Sequence, residues 1–430
     1  MVATGVFVAA AHDVVVTVRN TTVFVLPSCS NCSLKFLQFE LLQGPDGVSV
    51  APVDEDKKKQ ATQPAPTTNR ITFIEFFKPQ GSEFYALLLL VDERRLVHYE
   101  LNVQAQTLLF KGSRAVPRSA TCMTVAHLQL PTKETKYAVV VGQKTGEAVA
   151  VPFPDVDRDL KTLLGHTTSM VTHIAVNKDS SLLLTADRDE KIRVSRFPTA
   201  AIIESYCLGH AASLTKVACC AVTPKLAVST SMDNTLKLWE MQSGKLLASE
   251  MLLPGVEVSL APIDEAGSGA SDDSGRQAAK NLLNVSLAVC PKTNVVAVLA
   301  NYEHARFFEV VAGEGGEYAL KEVIVPAEGV KTLVANEPCE LLFTADGVLA
   351  VSYKKSPFLQ LYSFTKGEAT RLSPVEATET ATAAFSDFRT AAATIDLVDG
   401  EVEALDMLED GLKKKKARTG EWKKKVSDEN

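Results

Sequence analysis

The sequence lacks the motifs that mark the commonest enzyme families. It contains no G-x-x-x-x-G-K-S/T phosphate loop, no H-E-x-x-H zinc motif and no G-x-S-x-G nucleophile motif. The Gly-rich stretch from Ala312 to Gly316 lies between β-rich runs, without the helix N-terminus that binds a pyrophosphate, so we interpret it as a turn. The seven histidines do not cluster. The sequence therefore predicts no catalytic residues and no metal site, and it favours a binding protein over an enzyme.

Long apolar runs and dense cysteines are also missing. The segment from Met1 to Asn20 lacks the basic and apolar regions of a secretory signal, and no later run approaches the roughly 20 apolar residues of a membrane helix. We therefore expect a soluble, intracellular protein with reduced thiols. Cys29 and Cys32 form a C-x-x-C pair, which could supply half of a zinc site. No second pair of ligands accompanies them, and structural zinc needs four, so we expect no metal there.

Two segments of the chain repeat one another. Each begins with Leu-Gly-His, at His166 and His210, and continues through two β-rich runs to a turn that contains an aspartate. Asp189 and Asp233 follow their histidines by the same 23 residues, and the two histidines are 44 residues apart. This period matches the roughly 40–45 residues of one WD40 blade.

The repeated residues predict a polar relay inside each blade. The imidazole can pair with the turn aspartate, because buried polar groups need hydrogen-bond partners. A hydroxyl and an indole N–H would extend the relay in the second repeat, which ends in Trp239-Glu240. The first repeat has Ser195 in place of the tryptophan, so its relay must be shorter. The predicted relay residues are His166, Asp189, His210, Asp233 and Trp239.

Weaker strand patterns elsewhere are bounded by Gly, Pro and Asn. With the two clear repeats they give about seven strand sets, a usual number for propellers. We therefore predict an all-β, WD40-type β-propeller of seven blades over residues 1–365, with loop insertions at about 44–69 and 261–280. Residues 366–430 are predicted to form a flexible C-terminal extension, with weak helical patterns from Ala377 to Arg389 and from Glu401 to Lys416.

The end of the chain is basic, whereas the whole chain has a net charge of −7. Eight basic residues and one acidic residue stand between Leu412 and Lys425. Such a tail favours contact with a polyanion such as nucleic acid; a solvated terminus or a nuclear localisation signal is the alternative. The basic residues are Lys413, Lys414, Lys415, Lys416, Arg418, Lys423, Lys424 and Lys425.

Six charged residues lie between Asp187 and Arg193, in the turn of the first repeat. A solvated turn with weak ion pairs would explain such a run. However, the stretch from Leu184 to Ser195, together with Ile203 to His210, resembles the WD-repeat non-catalytic subunit of the eukaryotic tRNA (guanine-N7)-methyltransferase. The similarity is specific around these blades, and elsewhere only the propeller pattern agrees. Ser195, the acidic insertion at 261–280 and the basic tail depart from that family.

The resemblance implies a seven-bladed propeller that binds and stabilises a separate catalytic subunit, in a heterodimer that methylates N7 of a guanine in the tRNA variable loop. It implies a salt bridge from Arg193 to an acidic residue of the partner, with Arg188, Asp189 and Lys191 beside it; an arginine would allow a bidentate contact. S-adenosylmethionine is expected on the catalytic subunit and no cofactor on this chain. The basic tail becomes a candidate for tRNA contact, and the expected location is the nucleus, with the cytoplasm as a second location.

Two other functions stay open. A scaffold or substrate adaptor for a ubiquitin ligase or a ribosome-assembly complex could use the same fold, and it predicts normal tRNA N7-methylguanine after depletion. An enzyme with an unrecognised site predicts methyl transfer by the purified chain alone.

Overall fold

The structure is a computed structural model, and it describes residues 6–27, 36–41, 69–129, 134–167, 169–254, 285–313, 316–365, 371–375, 379–395 and 397. Its strands form seven four-stranded antiparallel sheets, which are the blades of a propeller. The prediction of a seven-bladed, all-β propeller is confirmed.

The four strands of each blade follow one another along the chain and pair in that order. Blades 1 to 3 contain β1 (Val6–Ala11), β2 (Val14–Arg19), β3 (Thr22–Pro27), β4 (Leu37–Glu40); β5 (Ile71–Phe77), β6 (Tyr85–Val91), β7 (Arg95–Asn102), β8 (Thr107–Ala115); and β9 (Ala120–Gln129), β10 (Thr135–Gln143), β11 (Glu147–Phe153), β12 (Lys161–Gly165).

Blades 4 to 7 have the same arrangement. Their strands are β13 (Val171–Val176), β14 (Leu182–Asp187), β15 (Lys191–Arg196), β16 (Ile203–Leu208); β17 (Leu214–Cys219), β18 (Leu226–Ser231), β19 (Thr235–Glu240), β20 (Leu246–Met251); β21 (Val285–Val289), β22 (Val295–Ala300), β23 (His304–Ala312), β24 (Tyr318–Glu322); and β25 (Pro338–Phe343), β26 (Leu349–Tyr353), β27 (Leu359–Thr365), β28 (Arg371–Pro374). The Gly-rich stretch after Val311 connects β23 and β24 as a hairpin, as predicted.

The position of a strand in its blade follows from its hydrophobic pattern. The second strands are mostly buried, and the continuous apolar run Tyr85–Val91 is buried at every residue, because neighbouring blades cover both faces of the sheet. The outermost strands are mostly exposed or half-buried, as in Ile203–Leu208, where Cys207 is the one buried residue. The apolar core therefore consists of separate clusters between neighbouring blades.

The first strand of each blade lies nearest the axis. These strands contact one another in sequence from β1 to β25, and β25 contacts β1, so the ring closes around a central channel. No strand is exchanged between blade 1 and blade 7, because each of the two has its own four consecutive strands. The seam between them must therefore be held by side chains.

A helix and a buried arginine hold this seam. The second of the two helices, α2 (Glu379–Ala392), follows α1 (Ala327–Val334) in the described chain and packs on blades 1 and 7. The fully buried ring of Phe388 contacts Phe24 with centroids 5.2 Å apart. Arg19, at the end of β2, donates to the backbone oxygens of Tyr353 and Lys354 at 2.9 and 3.1 Å. Its guanidinium also lies 4.6 Å from the ring centre of Phe358.

The predicted boundaries differ from the structure in three places. The last blade continues to Pro374, beyond the predicted limit at 365, because β28 supplies its outer strand. Helix α2 corresponds to the pattern predicted from Ala377 to Arg389, but it is docked on the propeller. Helix α1 (Ala327–Val334), between blades 6 and 7, was not predicted. Most of the two predicted insertions and residues 398–430, with the second helical pattern, lie outside the described residues.

Candidate functional site: the edge of blade 4

The polar relay of blade 5 contains four side chains. The His210 ring joins Asp233 through Nδ1 at 2.9 Å and Ser229 Oγ through Nε2 at 2.8 Å, and the indole Nε1 of the fully buried Trp239 donates to the same hydroxyl at 2.8 Å. Burial would raise the pKa of Asp233, but hydrogen bonds from His210, Thr235 and a backbone N–H outweigh it and lower that pKa to about 2. The structure thus brings His210, Asp233 and Trp239 together, and Ser229 is the hydroxyl that the sequence left unassigned.

In blade 4 the relay uses a different aspartate from the one expected. His166 Nδ1 lies 3.0 Å from Asp187 Oδ2, and its Nε2 lies 2.7 Å from Thr185 Oγ1. The structure does not bring Asp189 to His166; its backbone N–H donates to Ser169 Oγ at 3.1 Å. Asp187 takes the place because it ends β14 with its side chain buried, whereas Asp189 lies two residues further on, in the turn. In blade 5 the corresponding strand ends at Ser231, which is not a carboxylate, and the aspartate of the turn binds the histidine instead. The equal spacing of the two turns therefore predicted Asp189 for blade 4, and that prediction was wrong.

The shorter relay of blade 4 leaves Ser195 available to Arg193. Ser195 is fully buried, and its Oγ accepts a hydrogen bond from Arg193 Nε at 3.0 Å. The two terminal nitrogens of Arg193 donate to the backbone oxygens of Gly165, at 3.2 Å, and Ala200, at 2.9 Å. Arg193 is only 8% exposed, so within the described residues it ties the end of blade 3 to blade 4 and leaves few donors for a partner.

The charged turn forms the tip of the β14–β15 hairpin. Arg188 and Asp189 are half-buried, and Lys191 is exposed. The backbone N–H of Lys191 donates to Asp187 Oδ1 at 2.9 Å, which fixes the turn to the relay. The Nε of Arg188 has no acceptor within the part of the chain that the structure describes. The tip therefore presents two basic and two acidic residues, Arg188, Asp189, Glu190 and Lys191.

Apolar side chains continue the surface from this tip along the outer strand. Seven of the ten large hydrophobic residues that the described chain exposes lie on blades 4 and 5, including Tyr206 (42% exposed) and Leu208 (59%). Leu208 pairs with Lys191, and Tyr206 pairs with the largely buried Arg193, so a charged and an apolar side chain lie side by side where Lys191 meets Leu208. Leu246, at the start of the outer strand of blade 5, lies close to Gly209, the residue that follows Leu208. We call Lys191, Tyr206, Leu208 and Leu246 the blade 4 edge. Exposed apolar patches of this kind mark protein-binding sites.

Catalytic and metal chemistry gain no support from the described residues. They contain no group of three or more His, Cys, Asp or Glu side chains that could hold a metal ion. Burial raises the pKa of Cys122 to about 11 and that of Cys207 to about 12, so these thiols stay protonated at neutral pH. Cys29, Cys32 and the basic tail fall outside the described part.

The described helices include none that is both long and apolar enough to cross a membrane.

Comparison with known proteins gives consistent matches. The family profile described as the tRNA methyltransferase TRM82 WD40 domain matches residues 84–356. The chain is 33% identical over 193 residues to the mouse tRNA (guanine-N(7)-)-methyltransferase non-catalytic subunit WDR4, covering 45% of this chain and 43% of that protein. It is 34% identical over 171 residues to the human protein of the same name, covering 40% and 38%. The subunit named wuho from Culex quinquefasciatus is 29% identical over 217 residues, covering 50% of each.

The chain thus spans half or less of the curated relatives that it matches here. A chain of the crystal structure of the mitotic checkpoint complex is similar in fold, with a TM-score of 0.53 and 14% identity over 84% of this chain and 89% of that one. That similarity concerns the propeller alone.

Proposed function

This chain belongs to the family of the tRNA methyltransferase TRM82 WD40 domain, and from that premise we propose that it is the non-catalytic subunit of a tRNA (guanine-N7)-methyltransferase. The observation that carries the proposal is the family match over residues 84–356, which includes all of blades 4 and 5. Relatives named as non-catalytic subunits from mammals and insects support it. In this proposal the chain supports formation of N7-methylguanine in the tRNA variable loop by binding and stabilising a catalytic subunit.

The blade 4 edge is the surface that fits a protein partner best. It combines exposed apolar side chains with the charged tip of the β14–β15 hairpin, which is the composition of a specific interface rather than of a solvated rim. Arg188 and Lys191 can meet acidic side chains of the catalytic subunit, and Tyr206 and Leu208 can fill apolar pockets on it. Arg193 lies beneath this surface and stabilises the blade by donating to two backbone oxygens. Because those donors are already used, a direct salt bridge from Arg193 to the partner is the less favoured role.

Co-expression of the chain with its catalytic partner tests this surface. We expect Leu208→Asp and Lys191→Glu each to weaken the complex at least about tenfold in Kd, because each puts a carboxylate where an apolar or basic contact is proposed. Leu109→Asp is the matched control, since Leu109 is 52% exposed on the outer strand of blade 2. Unchanged affinity in both blade 4 variants would show that the partner binds another surface, and it would leave the proposed function itself standing.

Arg193 needs a separate comparison, because its substitution can damage the blade itself. We expect Arg193→Glu to abolish the complex and also to lower the melting temperature of the free chain, since it removes three internal hydrogen bonds. A variant that loses the complex but keeps its melting temperature would instead indicate a direct salt bridge.

The remaining parts of the proposal concern tRNA, the cofactor and location. S-adenosylmethionine would bind the catalytic subunit, and tRNA would be bound by the complex in the nucleus, with the cytoplasm as a second location. The basic residues from Lys413 to Lys425 are proposed to contact tRNA phosphates. Removing residues 412–430 should then weaken tRNA binding by the complex and flatten its dependence on salt concentration. Equal salt dependence of the full and shortened chains would exclude that contact.

A further inference from the structure

Side chains from four blades line one part of the central channel. His173 of β13, Lys216 of β17 and Glu340 of β25 each follow the register shift near the start of their strand, and Phe73 occupies the corresponding position of β5. These four residues therefore share one layer of the channel, and Glu75 lies one pleat further along β5. All five are partly exposed although they stand on the innermost strands, as expected for side chains that line an open channel.

One side of the channel carries hydrogen-bond donors. Lys216 extends so far that its Nζ lies 5.7 Å from the ring centre of Phe73, and the rings of Phe73 and His173 are 6.5 Å apart. Burial, and then the charge of Lys216, lower the pKa of His173 well below its usual value, so the ring is neutral at pH 7. Its Nδ1 accepts from the backbone N–H of Val217 at 3.5 Å, which places the ring proton on Nε2.

The other side carries carboxyl groups. Glu340 accepts a hydrogen bond from the backbone N–H of Val8 through Oε2 at 3.0 Å. Burial, and then the charge of Glu340, raise the pKa of Glu75 to about 8, against the opposing effect of Lys216. Because blades 2 and 7 flank blade 1, whereas blades 4 and 5 lie across the ring from it, the carboxyl groups and the donors face each other.

Lys216 and the two carboxyl groups face each other across this part of the channel without forming a salt bridge. Within the part of the chain that the structure describes, no carboxylate oxygen lies within 4.0 Å of Lys216 Nζ, and no acceptor lies within hydrogen-bond distance of it. An ammonium group has three donors, so Lys216 can donate to a molecule bound in the channel. Lys216 and His173 on one side and Glu75 and Glu340 on the other therefore offer donors and acceptors to a polar molecule in the channel.

We propose that the central channel binds a small zwitterion, a molecule that carries an ammonium group and a carboxylate on the same carbon atom, as a free amino acid does. Its carboxylate would accept from Lys216 and His173, and its ammonium group would donate to Glu340 and Glu75. The ring of Phe73 would form an apolar wall beside the ligand. A simple anion would meet Glu340, and a simple cation would meet Lys216, so either one is disfavoured by a like charge. This site is independent of the proposed partner surface.

Calorimetric titration of the full chain with the common free amino acids, glycine first, tests the proposal. Acetate and methylammonium are matched probes, because each carries one half of the charge pair. We expect saturable binding of at least one amino acid, with both half-probes weaker by about tenfold or more. Lys216→Met and Glu340→Gln should each weaken that binding about tenfold, whereas Lys111→Met, on the outer strand of blade 2, should leave it unchanged.

Three results would overturn the site. The first is no saturable binding of any free amino acid to the wild-type chain. The second is acetate or methylammonium binding as tightly as the amino acid, which would indicate a site for a single charge. The third is unchanged affinity in the Lys216 and Glu340 variants. Should either variant fail to fold, the comparison of the whole and half probes on the wild-type chain still decides the matter.

Discussion

Replacing Phe388 by alanine removes a side chain that packs across the seam between blades 1 and 7. Phe388 is fully buried on helix α2, and its ring meets those of Phe24 and Phe358 at centroid distances of 5.2 and 6.4 Å. Since blades 1 and 7 share no strand, a cavity at this point weakens the only seam that lacks a covalent chain connection between neighbouring blades. Truncation of a buried phenylalanine costs about 3–5 kcal/mol, and we expect Phe388→Ala to fall in that range.

Urea unfolding followed by tryptophan fluorescence measures this cost, with the fully buried Trp239 as a reporter inside blade 5. Phe110→Ala is the matched control, because Phe110 is 38% exposed on an outer strand and should lose less than about 1 kcal/mol. A loss below about 1 kcal/mol for Phe388→Ala would refute the reasoning. It would mean that contacts between β1 and β25 hold the seam without the helix.

Further predictions concern buried ionisable groups. Both ring nitrogens of His98 are buried without a partner among the described residues, and burial lowers its pKa from 6.5 to about 4. Between these two pKa values the unfolded chain binds a proton that the folded chain does not, so stability falls as the pH drops from 6.5 towards 4. In His98→Phe the melting temperature should therefore fall less steeply as the pH is lowered through this range. The pKa of Glu75 is raised from 4.5 to about 8, so stability falls as pH rises between these values; Glu75→Gln should raise the melting temperature at pH 8 but not at pH 4.5, and an equal effect at both would contradict this. In blade 4, Asp187→Asn should lower the free energy of unfolding by about 1–3 kcal/mol, and Asp189→Asn should leave it nearly unchanged. Chemical unfolding measures both values, and the opposite ranking would contradict the assignment of Asp187 to the relay.

The sequence was sufficient for features that depend on local repetition. The equal spacing around His166 and His210 predicted the WD40 blade, and apolar runs bounded by turns predicted seven strand sets. The relay of blade 5 followed from residue types alone, because its histidine, aspartate and tryptophan need one another as partners once they are buried.

Features that depend on which blades meet could not be predicted. Lys216 and Glu75 are far apart in the chain and face each other only when the ring closes. The buried place of Arg193 depends on backbone oxygens of Gly165 and Ala200, which carry no sequence signal. Asp187 was missed because the alignment of two turns shows equal spacing but not which carboxylate ends a strand.

The central claim is that this chain supports tRNA N7-methylation through a separate catalytic subunit. The most direct test is the N7-methylguanine content of tRNA in cells from which the chain has been deleted, measured by mass spectrometry of tRNA nucleosides. We predict that the modification is lost and that the wild-type chain restores it, whereas Leu208→Asp combined with Lys191→Glu does not. An unchanged N7-methylguanine content after deletion would contradict the account.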